Sequence, residues 1–237
     1  QAAPKPPEAV AAPKAAAATP VEEARALLAE GKYDAAVEKL RQFIQREPAT
    51  PSGRAARLEL ARALAAAGLN LQSTEAYAEY LRLFPDDKAV SEVRYLLARS
   101  YEAQGKYAEA VDAYQRYLNQ GNGQPARQRD LRLHIAEIYD YIVMQPRDAV
   151  REYRKFIEAF PKDTATPDVR HRVIVLTEQR LRDVKSAIEA YAAFVKDYPA
   201  DPRAPAAQGQ LAWLLEDGSQ RDFPRAVQEY RNYIKLF

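Results

Sequence analysis

Three arginines stand at a common spacing: Arg25, Arg62 and Arg99, 37 residues apart. A guanidinium is a planar fork that pairs with carboxylates and stacks on aromatic rings. A row of three is a candidate site for an acidic or C-terminal peptide segment, with Tyr95 one helical turn before Arg99. The competing reading is a solvated face on which each Arg pairs with a nearby Glu for about 0–1 kcal/mol. His134 and His171 are also 37 residues apart. Two stacked imidazoles would supply part of a metal site, but no third or fourth ligand is evident. They read as partly exposed histidines whose titration near neutral pH makes a contact pH-sensitive. Arg170, Arg172, Arg180 and Arg182 form a basic cluster, interrupted by Glu178 and Asp183. Its chemistry suits anionic lipid, an acidic partner or nucleic acid.

Catalytic chemistry has little to work with. The chain has no Cys, which excludes thiolate metal sites, disulfides and a cysteine nucleophile. The carboxylate pairs Glu22/Glu23, Asp86/Asp87 and Glu216/Asp217 sit where helix ends or loops are expected, and those in first turns suit the helix dipole. No nucleophile elbow, P-loop or dinucleotide fingerprint occurs. Lys and Arg total 35 against 33 Asp and Glu, a net charge of +2 that argues against a dedicated nucleic-acid binder. No run of apolar residues is long enough to span a bilayer. No cofactor is expected.

These residues must be positioned by something, and the something is a repeat. Six segments align: AAVEKLRQFIQREP (35–48), QSTEAYAEYLRLFP (72–85), EAVDAYQRYLNQ (109–120), DAVREYRKFIEAFP (148–161), SAIEAYAAFVKDYP (186–199) and RAVQEYRNYIKLF (225–237). Each carries a small anchor residue: Ala36, Ser73, Ala110, Ala149, Ala187 and Ala226, spaced by 37, 37, 39, 38 and 39. Four residues on stands Leu40 or a Tyr; seven on is always Phe or Tyr; eight on is always aliphatic. Those positions share one helical face. Pro48, Pro85, Pro161 and Pro199 stop four of the helices.

A first helix precedes each segment. Gly31, Gly68 and Gly105 lie five residues before the first three anchors and fit a left-handed turn between two helices. Ala24, Ala61 and Ala98, twelve before those anchors, allow the two helices to approach closely. Thr19-Pro20-Val21-Glu22 is a capping box, and Thr50-Pro51, Thr166-Pro167 and Asp201-Pro202 repeat the cap-then-Pro pattern. The later units lack the turn Gly, so altered turns are expected at Ile142–Pro146 and Glu216–Pro224. Val173–Thr177 is β-branched and favours a strand by propensity, yet its place in the fifth unit requires helix.

With its small residues, turn Gly, aromatic at the fourth position and terminal Pro, the unit resembles the tetratricopeptide repeat over residues 21–237. It departs from that pattern in its longer period and in the aromatic seven residues after the anchor. The FP and YP endings resemble a periplasmic and outer-membrane lipoprotein subgroup, which includes the repeat lipoprotein of β-barrel assembly, a Tol-Pal-associated protein and pilotin-like proteins. The resemblance implies an all-α, right-handed solenoid of about six hairpins, over 21–48, 49–85, 86–122, 123–161, 162–199 and 200–237. Residues 1–20, Ala- and Pro-rich, read as an extended linker.

In such proteins the first helices line a concave groove. The resemblance therefore places Arg25, Arg62, Arg99 and Tyr95 in its N-terminal half. It places His134, Ile138, Arg172 and Leu176 in a more apolar C-terminal half. The implied function is a non-enzymatic scaffold gripping a partner polypeptide, in or near the bacterial periplasm or outer membrane. The alternatives are a helical repeat that binds anionic lipid or RNA, an accessory domain of a larger enzyme, and a cytoplasmic location. Gln1 in place of an initiating Met points to upstream residues, with a membrane tether among the possibilities. The apolar stripe of the last segment points either to further residues beyond it or to docking on a partner or a copy.

Overall fold

The computed structural model describes residues 18–120, 124–217 and 221–236; most of the Ala/Pro-rich segment 1–20 lies outside them. The chain divides into two compact units, Gln1–Lys106 and Tyr107–Phe237. The first holds α1 (Pro20–Ala29), α2 (Tyr33–Arg46), α3 (Pro51–Ala66), α4 (Asn70–Leu83) and α5 (Val90–Glu102). The second holds α6 (Tyr107–Asn119), α7 (Pro125–Glu137), α8 (Pro146–Ala159), α9 (Thr166–Val175), α10 (Val184–Asp197), α11 (Ala204–Asp217) and α12 (Phe223–Leu236). Odd-numbered helices are the first of each hairpin and even-numbered ones the second. Within each unit successive helices pack in sequence order. No strand occurs among the described residues, and Val173–Thr177 is helical.

Local chemistry sets the boundaries. At α1 the Glu22 N–H donates to Thr19 Oγ1 (3.3 Å) and the Thr19 N–H to Glu22 Oε2 (2.7 Å), which closes the capping box. Thr50 accepts the Gly53 N–H at 3.0 Å. The residues before Pro48, Pro85, Pro161 and Pro199 leave the helical region, at φ −129°, −132°, −132° and −131°, so each second helix ends there. The expectation for Thr166 needs correction. It lies inside α9 and donates its hydroxyl to the Phe160 carbonyl (2.7 Å). The turn into α9 is capped instead by Asp163, which accepts the Ala165 N–H at 2.8 Å. Asp87 and Asp201, like Asp163 two residues after a Pro, accept N–H groups from Ala89 (2.8 Å) and Arg203 (2.9 Å) in the same way. Arg129 grips Asp163 with two bonds of 2.9 and 2.8 Å and, foremost among the causes, holds its carboxyl down at about 2.

The anchors are core residues. Ala36, Ser73, Ala110, Ala149, Ala187 and Ala226 are at most 2% exposed. In the first unit Ala24, Ala36, Leu40, Ala56 and Leu64 share one cluster, and Ala61, Tyr77, Tyr80 and Val93 another. In the second unit Ala136, Ala149, Tyr153 and Phe156 cluster, as do Ile174, Ala187, Tyr191, Phe194 and Leu211. Each large side chain so buried contributes roughly 1.5–3 kcal/mol before entropic costs. Face residues buried in α10 (Ile188, Phe194, Val195) have exposed counterparts in α12 (Val227, Tyr233, Ile234).

The later hairpins solve the turn differently. Gly31, Gly68 and Gly105 take φ of 73°, 74° and 71°. Five residues before the later anchors stand Met144, Arg182 and Arg221, at φ 57°, 54° and 43°. The left-handed position is thus kept in all six units, without glycine in three. After each glycine the next N–H reaches back five residues: Lys32 to Leu27, Leu69 to Leu64, Lys106 to Tyr101. After Met144 and Arg182 it reaches back six, Gln145 to Tyr139 and Asp183 to Thr177; after Arg221 it reaches back seven, Asp222 to Leu215. The added residue in hairpins four and five is absorbed by π-helical turns, Ile138–Ile142 and Leu176–Arg180, which continue α7 and α9. The expected altered turn at Ile142–Pro146 is this one; part of the other, residues 218–220, lies outside the described residues.

One glycine has a purely steric role. A Cβ on Gly53 would lie 1.8 Å from the Glu47 carbonyl oxygen, where α3 starts against the end of α2. Gly53→Ala is expected to cost roughly 1–3 kcal/mol, as overpacking does. Urea unfolding measures it, and an unchanged midpoint would contradict this close approach.

Candidate functional site

In the first unit two of the three arginines share a carboxylate. Arg25 Nη2 lies 2.6 Å and Arg62 Nη1 2.9 Å from the same oxygen of Glu59. The Glu59 side chain is 6% exposed, whereas those of Arg25 and Arg62 are 57% and 38% exposed. One sunken carboxylate therefore ties two solvent-facing guanidiniums, on α1 and α3, into a fixed pair. It also raises the Arg25 pKa, chiefly through the hydrogen bond. Arg99 on α5 is exposed, and Tyr95 one turn earlier is half-buried. Beneath the row lies Tyr77. Burial is the main cause pushing its hydroxyl up to about 12, and the charges of Arg62, Glu59, Glu92 and Arg99 act on it as well.

In the second unit the first helices are joined by a different set of bonds. Arg172 on α9 grips Asp140 with two hydrogen bonds of 2.6 and 2.7 Å, and the Tyr153 hydroxyl donates to the same carboxylate at 3.0 Å. Its guanidinium also lies 4.9 Å from the centre of the Tyr141 ring. The Asp140 side chain is 2% exposed. One hairpin on, Glu178 takes the Tyr191 hydroxyl (2.7 Å) and the Gln210 amide (2.5 Å). In the last hairpin Tyr230 donates to Glu216 at 2.9 Å. Tyr153 and Tyr191 are raised well above the usual phenol range, first by burial and then by these carboxylates.

The inserted residues change which side chains face outward. Ile138 and Leu176, expected on the partner-facing surface, are 0% and 3% exposed and belong to the core. The π-turns shift the register by one, so the positions equivalent to Arg25, Arg62 and Arg99 are Glu137 and Val175, both half-buried. With two added residues the sixth equivalent is Trp213, which is 46% exposed. Trp213 was missed because the count ran back from the anchor without allowing for the added residues. The signal was present in the spacings of 38 and 39 and in the missing glycines. The same correction restores the buried row: Ala136, Ile174 and Ala212 take the place of Ala24, Ala61 and Ala98, all six at most 1% exposed, with the larger Ile in hairpin five.

The remaining candidates divide. His134 is half-buried with its ring edge-on to Tyr114 at 6.0 Å. His171 lies 5.9 Å from the Phe194 ring, and burial foremost, with Arg203, lowers its pKa. Arg170 pairs with Asp197, so half of the basic cluster is engaged, while Arg180 and Arg182 stand exposed. Among the described residues no group of three or more potential ligands could hold a metal ion, and no helix is long and apolar enough to cross a membrane. The Asp140 pair makes a direct test. Arg172→Ala leaves a buried carboxylate with a phenol alone and is expected to cost roughly 1–3 kcal/mol. Adding Asp140→Asn should recover part of the loss in the same urea titration; no loss in the single variant would contradict the pairing.

Comparison with known proteins follows the same lines. Residues 15–182 match the family model described as outer membrane lipoprotein (YfiO), and residues 174–237 match a tetratricopeptide repeat model. Among solved structures, a tetratricopeptide repeat protein from Parabacteroides merdae is similar over 92% of this chain and 78% of its own, at 15% identity and a TM-score of 0.52. A MamA protein is similar over 76% of this chain and 90% of its own, at 18% identity and a TM-score of 0.51. These likenesses show the fold, an all-α solenoid of helix hairpins. A search of curated protein sequences finds no significant match. Because the first model spans well over half of its length, the chain belongs to the outer membrane lipoprotein family, built here on tetratricopeptide repeats.

Proposed function

We propose that the protein is a non-enzymatic scaffold of the bacterial cell envelope that holds a partner polypeptide on the first-helix face of its first unit. The observation that carries this reading is the shared carboxylate. Glu59 fixes Arg25 and Arg62 in place while leaving both exposed. Their unused N–H donors are thereby aimed at solvent with less rotamer freedom left to lose on binding. Glu59 is shared by two guanidiniums and Arg99 adds a third, with Glu22 also acting on Arg25. The ligand such a row suits is an acidic segment or a terminal carboxylate. Family membership supports the envelope setting. Within the second unit, Val175 and Trp213 offer apolar and aromatic contacts on the equivalent face. The exposed face of α12 is a second docking surface for a partner or a copy.

The reading is tested by capture. Arg62→Glu combined with Arg99→Glu, introduced into the full-length protein, is expected to reduce crosslinked partner recovery from cells at least several-fold, with the helical circular dichroism signal unchanged. Undiminished recovery would remove the arginine row from the partner site.

A further inference from the structure

The repeat itself records what a second helix requires on its outer face. That face is formed by the residues one, seven and eight after the anchor. In α10 they are Ile188, Phe194 and Val195, at most 6% exposed. They cluster with Ala207, Leu211 and Leu215 of α11, the first helix of the next hairpin. The covering side chains stand at i, i+4 and i+8, one stripe of a helix. Ala56, Leu60 and Leu64 of α3 cover α2 in the same way, and Val93, Leu97 and Tyr101 of α5 cover α4. On α8 the cover begins with Val169 and Val173 of α9. Each stripe opens on Ala or Val, small beside the Phe or Tyr that the covered helix carries seven residues after its anchor.

Helix α12 has the face without the cover. Its Val227, Tyr233 and Ile234 are 48%, 40% and 80% exposed. The front of the chain does not supply the missing stripe. Counted back from the anchor as in α3 and α5, the positions in α1 are Thr19, Glu23 and Leu27, and Glu23 pairs with Lys39. A second copy stacked head to tail would lay those polar groups on an apolar surface. Two α12 faces set against each other would oppose Tyr233 to an equally bulky side, where the four junctions oppose Phe or Tyr to Ala or Val.

We propose that the outer face of α12 binds an amphipathic helix of a partner polypeptide, seated as a following first helix is seated in the other hairpins. The stripe of that helix carries Ala or Val, then Leu or Val, then a further apolar residue, at i, i+4 and i+8. The inference rests on the reading of α12 as a docking surface and names what occupies it. A helix seated there runs beside Trp213 as well. The equivalent residue of the first hairpin, Arg25, is bonded at 2.6 Å by Glu59 on the following first helix.

The test uses a synthetic peptide of residues 49–67, which contains α3 and no Trp. Trp213, the sole Trp of the chain, reports its arrival by fluorescence. The expected result is a saturable change in the emission of the full-length protein. Leu60→Glu in the peptide, or Ile234→Glu in the protein, should weaken binding by roughly tenfold or more, because each sets a charge in an apolar contact. The exposed Ile234 is replaced without change in thermal melting. No saturable change, or one that neither substitution weakens, overturns the proposal. Sedimentation equilibrium of the same protein then separates the occupant from the surface. A dimer that Ile234→Glu dissociates, with no peptide bound, would overturn the helix and keep α12 as a face for a second copy. A monomer that binds no peptide would remove the docking surface too.

Discussion

The left-handed residue between the two helices of each hairpin is the constraint from which the rest of the structure follows. It turns the backbone so that a second helix can lie back on the first, and it always stands five residues before the small anchor. Because that distance does not vary, extra residues have to be taken up before the turn. Hairpins four and five take them up as a π-helical turn. That adjustment leaves the anchor in the core and rotates the end of the first helix under it. Which side chains face outward in the second unit is therefore decided by turn geometry and then expressed on the first helices.

Sunken carboxylates do a related job between hairpins. Glu59, Asp140 and Glu178 each bind a polar side chain on a neighbouring first helix: Arg25, Arg172 and Gln210, respectively. In the first unit one acid is shared by two arginines whose side chains stay exposed. In the second the arginine grips the acid with two bonds and lies against a tyrosine ring. Similar residue types thus give a surface suited to capture in one unit and a structural clasp in the other. The difference comes from stoichiometry: one acid shared by two arginines, against one acid held by one arginine and a phenol.

Much of this was legible in the residues. Second helices were legible because their apolar positions recur on one face and a proline ends four of them. The first three turns were legible because glycine marks a positive φ. Met144 and Arg182 gave no such mark, since nothing in either residue type announces a left-handed conformation. The β-branched stretch Val173–Thr177 pointed away from helix, and burial of Val173, Ile174, Leu176 and Thr177 in the hairpin core overrode it. Ile138 and Leu176 were misplaced for one reason, a register counted through a turn that contains an added residue. The arginine row could be located from spacing alone, but the carboxylate that organises it could not. Glu59 looks like any other surface acid until α1 is placed beside α3.

The most direct measurement of the shared hairpin frame is thiol labelling, for which a protein without cysteine is well suited. Single cysteines at positions 137, 138, 175 and 176 would be labelled under native conditions. The account predicts that Glu137→Cys and Val175→Cys react readily, while Ile138→Cys and Leu176→Cys react only as fast as the protein unfolds. The reverse order would show that α7 and α9 keep an uninterrupted register, and would contradict the shared frame of the six hairpins.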